Sequence, residues 1–403
     1  MIGAALLALA AVAGAARFQP AASDSSAGAA LTIYLLTFDS GAAVWERFGH
    51  NALWVHDPVA GTDWAYDYGR FSFREKNFFL RFAKGDLRYW MGRGHVRQYL
   101  AGYEEAGRSI WSQQLDLPPA ARATLRDFLE WNVREENKFY HYDYYRDNCS
   151  TRIRDAIDRV IGGQLRPWAE AIGTSWTYRD HTRRLTQNNP LLYTGLLIGL
   201  GQPVDRRINA WEEMFLPITL RPRLDSFQVR DPDGRVHPIV KEARRLVTSD
   251  RFPVPDRPAN WLPGFLAVGL ALGLLLGGLA RTRSGRGFVA GATLFALLIG
   301  IGGAVLAGLW AFTDHRFSDR NENVLQLSLL SLALAFVLPR AARRRTAERL
   351  AGAAALTAAV GLTLKALPGF GQANYEVIAL LLPAHAGLWL GLRWLRRPPV
   401  TVV

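Results

Sequence analysis

Five apolar runs close this chain, and they constrain its fold more than any other feature. From Trp261 onward, residues 261–280, 287–312, 324–339, 349–367 and 376–392 are apolar, with charges mostly confined between them. A helix needs about 20 such residues to cross a bilayer, and only 324–339 falls clearly short. The runs lack the amphipathic period of a soluble helical core. They predict five transmembrane helices over residues 258–403.

The charges between the runs predict orientation. Arg281, Arg283 and Arg286 separate the first two runs. Arg340, Arg343, Arg344, Arg345 and Arg349 separate the third from the fourth, and Arg393, Arg396 and Arg397 follow the fifth. The other two loops, 313–323 and 368–375, hold only Arg316 and Arg320, offset by Asp314, Asp319 and Glu322. Cytoplasmic loops carry the arginine excess. The large segment before Trp261 is therefore expected outside the cytoplasmic membrane, in the periplasm or at the cell exterior. Ala4–Ala16 is an apolar stretch ending near Ala13-Gly14-Ala15, which resembles a signal-peptidase site. Residues 1–16 are read as a signal peptide or an N-terminal anchor, and either would export the domain C-terminal to it. The net charge of +13 partly reflects the juxtamembrane arginines, which meet anionic head groups and do not suggest nucleic acid.

Residues 17–257 are charged and aromatic-rich, long enough for one α+β domain. Leu31–Phe38 reads as a strand. His50–His56 and Thr62–Gly69, joined by the turn cluster Asp57-Pro58-Val59-Ala60-Gly61, read as a β-hairpin. A turn centred between Val59 and Ala60 sets His50 opposite Gly69. Asp67 then lies one diagonal step away on the same face, since strand parity is two. A slip of one residue would remove it, and His56 is the alternative partner.

The chain has a single cysteine, in Tyr145-Arg146-Asp147-Asn148-Cys149-Ser150-Thr151-Arg152. A free cysteine is often a small buried hydrophobe. Here polar capping residues surround it, and a helix is predicted from Cys149 to about Ile161, ended by Gly162-Gly163. The positive end of a helix favours a thiolate in its first turn, and the amides there can stabilise an oxyanion. This predicts Cys149 as nucleophile, His50 as base and Asp67 as the group orienting the imidazole, with Asn148 and Ser150 as candidates either to hydrogen-bond substrate or only to cap the helix. The exported loop Thr313–Asn323 adds His315, Asn321 and Asn323, which are candidates to orient a lipid ester or close the site. No zinc-ligand spacing and no phosphate-binding loop is present, so neither a metal nor another cofactor is expected.

Phe48-Gly49-His50-Asn51-Ala52-Leu53, Tyr66-Asp67-Tyr68-Gly69 and the run from Tyr142 to Asp155 resemble the Lnb-type periplasmic domain. The similarity spans about residues 30–220, including Phe215-Leu216-Pro217, and continues in the transmembrane half. It implies a circularly permuted papain-like thiol domain of the NlpC class, in which histidine precedes cysteine. It also implies an acyltransferase that takes a chain from a membrane phospholipid and N-acylates a bacterial lipoprotein at the inner membrane. Two alternatives stand beside it: an NlpC-like peptidoglycan amidase or peptidase, and a non-catalytic membrane sensor or assembly module. Soluble hydrolases of the NlpC type rarely need five spans.

Overall fold

The computed structural model describes residues 18, 28–281 and 285–395. The expected leader, residues 1–16, lies outside them.

The N-terminal segment is built on a seven-stranded antiparallel sheet. Its strands are β1 (Thr32–Phe38), β2 (His50–Asp57), β3 (Thr62–Arg70), β4 (Arg88–His95), β5 (Ile110–Leu115), β6 (Phe139–His141) and β7 (Val240–Val247), in the order β7-β5-β1-β2-β3-β4-β6. Strand alternation divides the side chains between two layers. Ile33, Leu35, Leu53, Val55, Tyr66 and Tyr68 face one core. There they meet helices α3 (Pro119–Asn132) and α4 (Cys149–Val160) through Leu125, Leu129, Ile153 and Ile157. Leu36, Phe38, Ala52 and Ala65 face the other side, where Tyr99, Leu100 and Tyr103 of helix α2 (Val96–Glu105), which follows the short helix α1 (Phe78–Lys84), cover them. Burying two apolar faces this way leaves the strand ends as the open ground of the domain. The β2–β3 register is the one the turn cluster predicts, with Ala52 opposite Asp67 and Asp57 opposite Thr62.

The C-terminal part is helical. Among the described residues four helices are long and apolar enough to cross a membrane. They are Leu262–Leu279, Arg286–Phe312, Arg344–Ala366 and Tyr375–Leu395. The first and last cross closely: a Cβ at Gly273 or Gly387 would collide with the backbone of the other helix, at Pro383 and Gly273 respectively. Small residues allow such an approach in lipid, where packing replaces the hydrophobic effect.

The run at 324–339 departs from the expectation of a fifth spanning helix. It is a 3-10 turn, Glu322–Leu325, an irregular stretch, and a helix of only eight residues, Leu330–Val337. The break is held by side chains. Gln326 Nε2 donates to the Ala358 carbonyl, and the Gln326 carbonyl sits 2.9 Å from His385 Nε2. Irregular backbone at membrane depth is tolerated when protein groups satisfy it in this way.

Helix Pro190–Gly199 of the exported part docks on the loops 313–323 and 368–374. Asn321 Nδ2 donates to the Ile198 and Gly199 carbonyls, and Asn323 Nδ2 to Leu197 and Ile198. Gln372 Nε2 donates to the Leu200 carbonyl, and Arg183 reaches Glu376 at 2.8 Å. Both charge-poor loops thus lie against the N-terminal segment.

Candidate active site

The site forms at the strand ends, where the two layers of the sheet can meet. His50 opens β2 and Asp67 lies near the end of β3, both on the α2 face by parity. His50 Nε2 donates to Asp67 Oδ2 at 3.0 Å. Their side chains are 16% and 8% exposed, so the pair is largely shielded from water.

Helix α4 packs against β2 and β3 on the opposite face and brings its first residue around the strand end. Gly69 makes this possible. Its φ of 89° is a left-handed conformation that favours glycine, and a Cβ there would lie 3.5 Å from the Cys149 Cβ. The Cys149 sulfur lies beside the imidazole across this gap, near enough to favour its protonated form. With Nε2 engaged by Asp67, Nδ1 is the ring nitrogen left for the sulfur. Cysteine, histidine and carboxylate thus stand in line, the relation a nucleophile, its base and an orienting group require.

A second set of residues supports the pair. Asp67 Oδ1 accepts from Arg70 Nε at 2.8 Å and from the Tyr99 hydroxyl at 2.7 Å, and Arg70 also donates to Tyr99. Tyr103 stacks on His50, with ring centroids 6.1 Å apart, and on Phe38. The Arg108 guanidinium lies 4.5 Å from the Tyr103 ring centroid. Burial opposes a charge on His50, but the Tyr103 hydroxyl, the Cys149 sulfur and Asp67 outweigh it. The imidazole keeps its proton well above the ordinary histidine range. Burial also raises the Asp67 carboxyl, yet the bond and charge of His50, with Arg70 and Tyr99, hold it below the usual carboxylate range.

These opposite shifts predict a pH window for stability. A raised folded-state pKa stabilises fully below the unfolded value and loses its effect as the pH rises through the folded one. A lowered carboxylate pKa acts in the opposite sense, losing its effect as the pH falls through the folded value. The stability gap between wild type and Asp67→Asn should therefore be widest between about pH 4 and 6.5 and narrow on both sides. Thermal unfolding of the detergent-solubilised protein across pH measures it. A gap that grows steadily above pH 8 contradicts the pairing.

Of the two roles open to Asn148 and Ser150, substrate contact or helix cap, the structure shows Asn148 as the cap and neither side chain turned to substrate. Asn148 caps α4, its Oδ1 accepting from the amides of Ser150 and Thr151 at 2.9 and 3.0 Å. Its Nδ2 donates to the carbonyls of Tyr144 and Phe215, both at 3.0 Å. The Ser150 hydroxyl donates to the Met214 carbonyl at 2.8 Å. Both side chains are buried and directed into the fold, and they fix the start of α4 against the 214–217 turn. The cap leaves the Cys149 amide as the first-turn N–H available to an oxyanion.

The loop residues are also corrected. Asn321 and Asn323 are fully buried, bound to the end of helix Pro190–Gly199. His315 Nε2 lies 2.8 Å from the Phe82 carbonyl. None of the three hydrogen-bonds to the Cys149–His50–Asp67 line. The loop instead approaches the site through Phe317, whose ring packs on Tyr144 and Tyr145, a few residues before the cysteine. His56 sits toward the far end of the hairpin, 2.8 Å from Asp63, which removes it as the third member.

Tyr99, Tyr103 and Arg70 are the residues that the sequence reading did not single out. Two tyrosines four apart place their rings on one helix face, and that spacing was the available signal.

Residues 18–186 match the family described as the Lnb N-terminal periplasmic domain, a span holding His50, Asp67 and Cys149 but less than half of the chain. Neither a curated protein nor a solved structure matches. At this coarse level the protein is Lnb-like: a periplasmic domain of that kind joined to a helical part with four helices able to cross a membrane.

Proposed function

We propose that this protein is a multi-pass enzyme of the bacterial inner membrane that moves an acyl chain from a phospholipid, through a Cys149 thioester, to the N-terminal amine of a lipoprotein. The observation that carries the reading is the line Cys149–His50–Asp67 in a domain docked on a membrane-spanning bundle. The order of these residues, histidine strand before cysteine helix, is that of a permuted papain-like thiol enzyme.

The steps follow from the groups present. The Cys149 thiol first gives its proton to His50, whose surroundings favour the imidazolium that Asp67 holds, and the thiolate Sγ then attacks the ester carbonyl carbon. The Cys149 amide donates to the oxyanion. The tetrahedral species collapses, the C–O bond breaks, and the imidazolium proton goes to the leaving alkoxide, releasing a lysolipid. The lipoprotein amine then attacks the thioester and gives its proton to His50. The C–S bond breaks, an amide forms, and the proton returns to sulfur.

Mass spectrometry of lipoprotein N-terminal peptides is the direct test. Cells with the wild-type protein should yield peptides heavier by one acyl chain than cells carrying Cys149→Ala. Identical masses would sink the transferase reading.

A further inference from the structure

We propose that the segment from Phe71 to Gly85 is a lipid-contact lip, set into the surface of the phospholipid bilayer and presenting lipid to Cys149. The contact with lipid stands on geometry alone; its service to the thiol rests on the acyltransferase reading.

The segment is apolar where a soluble surface would be polar. Phe73, Phe79, Leu80 and Phe82 are 50%, 73%, 56% and 48% exposed, and the neighbouring Trp45 is 59% exposed. Their rings form one cluster: Trp45 against Phe73 at 5.6 Å, Phe73 against Phe79 at 6.3 Å, and Phe78 between Phe79 and Phe82. A contiguous exposed aromatic patch marks a binding surface.

Its position names the occupant. The lip ends at Gly85, where a Cβ would lie 3.0 Å from the backbone of Asp314 and His315. The Asp314 amide donates to the Lys84 carbonyl at 2.8 Å, and the His315 ring meets both the Phe82 carbonyl and the Phe82 ring. These are the second and third residues after the spanning helix Arg286–Phe312, whose last turn exposes Trp310 and Phe312. Exposed aromatics at that point of a spanning helix belong to the interfacial belt. The lip is fastened to the belt, at the depth of head groups and the first acyl carbons. Arg74, Lys76 and Lys84 are exposed among its aromatics, a composition suited to a surface of anionic lipid.

The patch is also continuous with the thiol. Phe71 joins Trp45 at 6.2 Å and stacks on Tyr89 at 5.1 Å, and Tyr89 stacks on Tyr142 at 4.2 Å. Tyr142 and Cys149 flank Gly69, at 3.9 and 3.5 Å from the position of an added Cβ. An aromatic wall thus runs from the bilayer side to the sulfur, a surface along which an acyl chain stays out of water.

The test uses the full chain in phosphatidylcholine–phosphatidylglycerol vesicles. In a Cys149→Ser background, Phe79→Cys is labelled with a fluorophore and challenged with doxyl-labelled phosphatidylcholine. Val59→Cys, on the β2–β3 turn, is the reference. Strong quenching at 79 and little at 59 is expected; equal quenching at the two positions overturns the lip. A second arm takes Phe79→Glu/Leu80→Glu with Cys149 intact. It should transfer acyl chains from vesicle phospholipid at least about tenfold more slowly, while reaction with p-nitrophenyl acetate is unchanged. Normal transfer from vesicles, or loss in both assays, rejects the role in lipid delivery. Cys149→Ala retaining full transfer would defeat the Cys149-thioester route and leave the quenching result standing.

Discussion

Cys149→Ala and His50→Ala are each expected to abolish acyl transfer, with a loss on the order of 10⁴-fold or more, because a nucleophile and its base act as a unit. Folding should survive. The Cys149 Cβ, which lies 3.5 Å from where a Cβ on Gly69 would stand, is kept in alanine, and the cap on α4 does not use the sulfur. The double variant should be no slower than either single one, since neither group has a task without the other. Asp67→Asn should cost less, about 10- to 100-fold, because it removes the charge that favours the imidazolium while Nε2 keeps a neighbour. Single-turnover transfer from vesicle lipid, monitored by mass spectrometry as lysolipid release and acylated acceptor, distinguishes these cases. A Cys149→Ala enzyme with measurable transfer would exclude a covalent route, and additive losses in the double variant would separate His50 from the thiol.

The relation between His50 and Asp67 was legible because hairpins obey a simple rule. Once the turn is located, parity decides which residues share a face, and the observed pairing of Ala52 with Asp67 is the one the turn cluster at 57–61 requires. The approach of Cys149 was legible only as an expectation about chemistry. What brings it to His50 is the missing side chain at Gly69 and the bond from Asn148 to Phe215, 67 residues away. The supporting tyrosines were hidden for a related reason. Tyr99 and Tyr103 lie on an amphipathic helix, where rings at that spacing are usually core. Only the packing of the helix over β1 to β3 shows that one hydroxyl reaches Asp67 and the other ring covers His50.

The bundle was harder to read. Hydropathy registers the apolar side chains of 324–339 but not the path of the backbone, so a broken segment scored as a short helix. Of the polar residues that mark the break, Asn321 and Asn323 were read as loop or substrate groups, and Gln326 fell unremarked inside the apolar run. They bind carbonyls of other elements: the end of helix Pro190–Gly199 for the two asparagines and Ala358 for the glutamine. A buried amide satisfied by a distant carbonyl and an amide offered to a ligand look alike in a sequence. The partner, which tertiary structure alone supplies, tells them apart.

Asn148 tests that distinction most sharply. Asn148→Ala removes a helix cap, costing about 1 kcal/mol. It also removes donors from two carbonyls in the interior, each worth a further ~1 kcal/mol, for a total of about 3 kcal/mol. Asn148→Asp is the more telling change. Aspartate is as good a cap as asparagine and its charge suits a helix N-terminus, so local rules predict a neutral or stabilising effect. The structure predicts the opposite. The oxygen replacing Nδ2 would face the carbonyls of Tyr144 and Phe215, where donors now sit at 3.0 Å. Three acceptors would then meet without a proton, in a place that is 5% exposed. The loss should equal or exceed that of alanine, and it should ease at acid pH, where a protonated carboxyl regains one donor. Denaturant unfolding of the two variants at about pH 7 and about pH 4.5 decides the matter. If aspartate proves as stable as asparagine at neutral pH, the 214–217 turn does not hold the start of α4. The thiol must then owe its position to Gly69 and His50 alone.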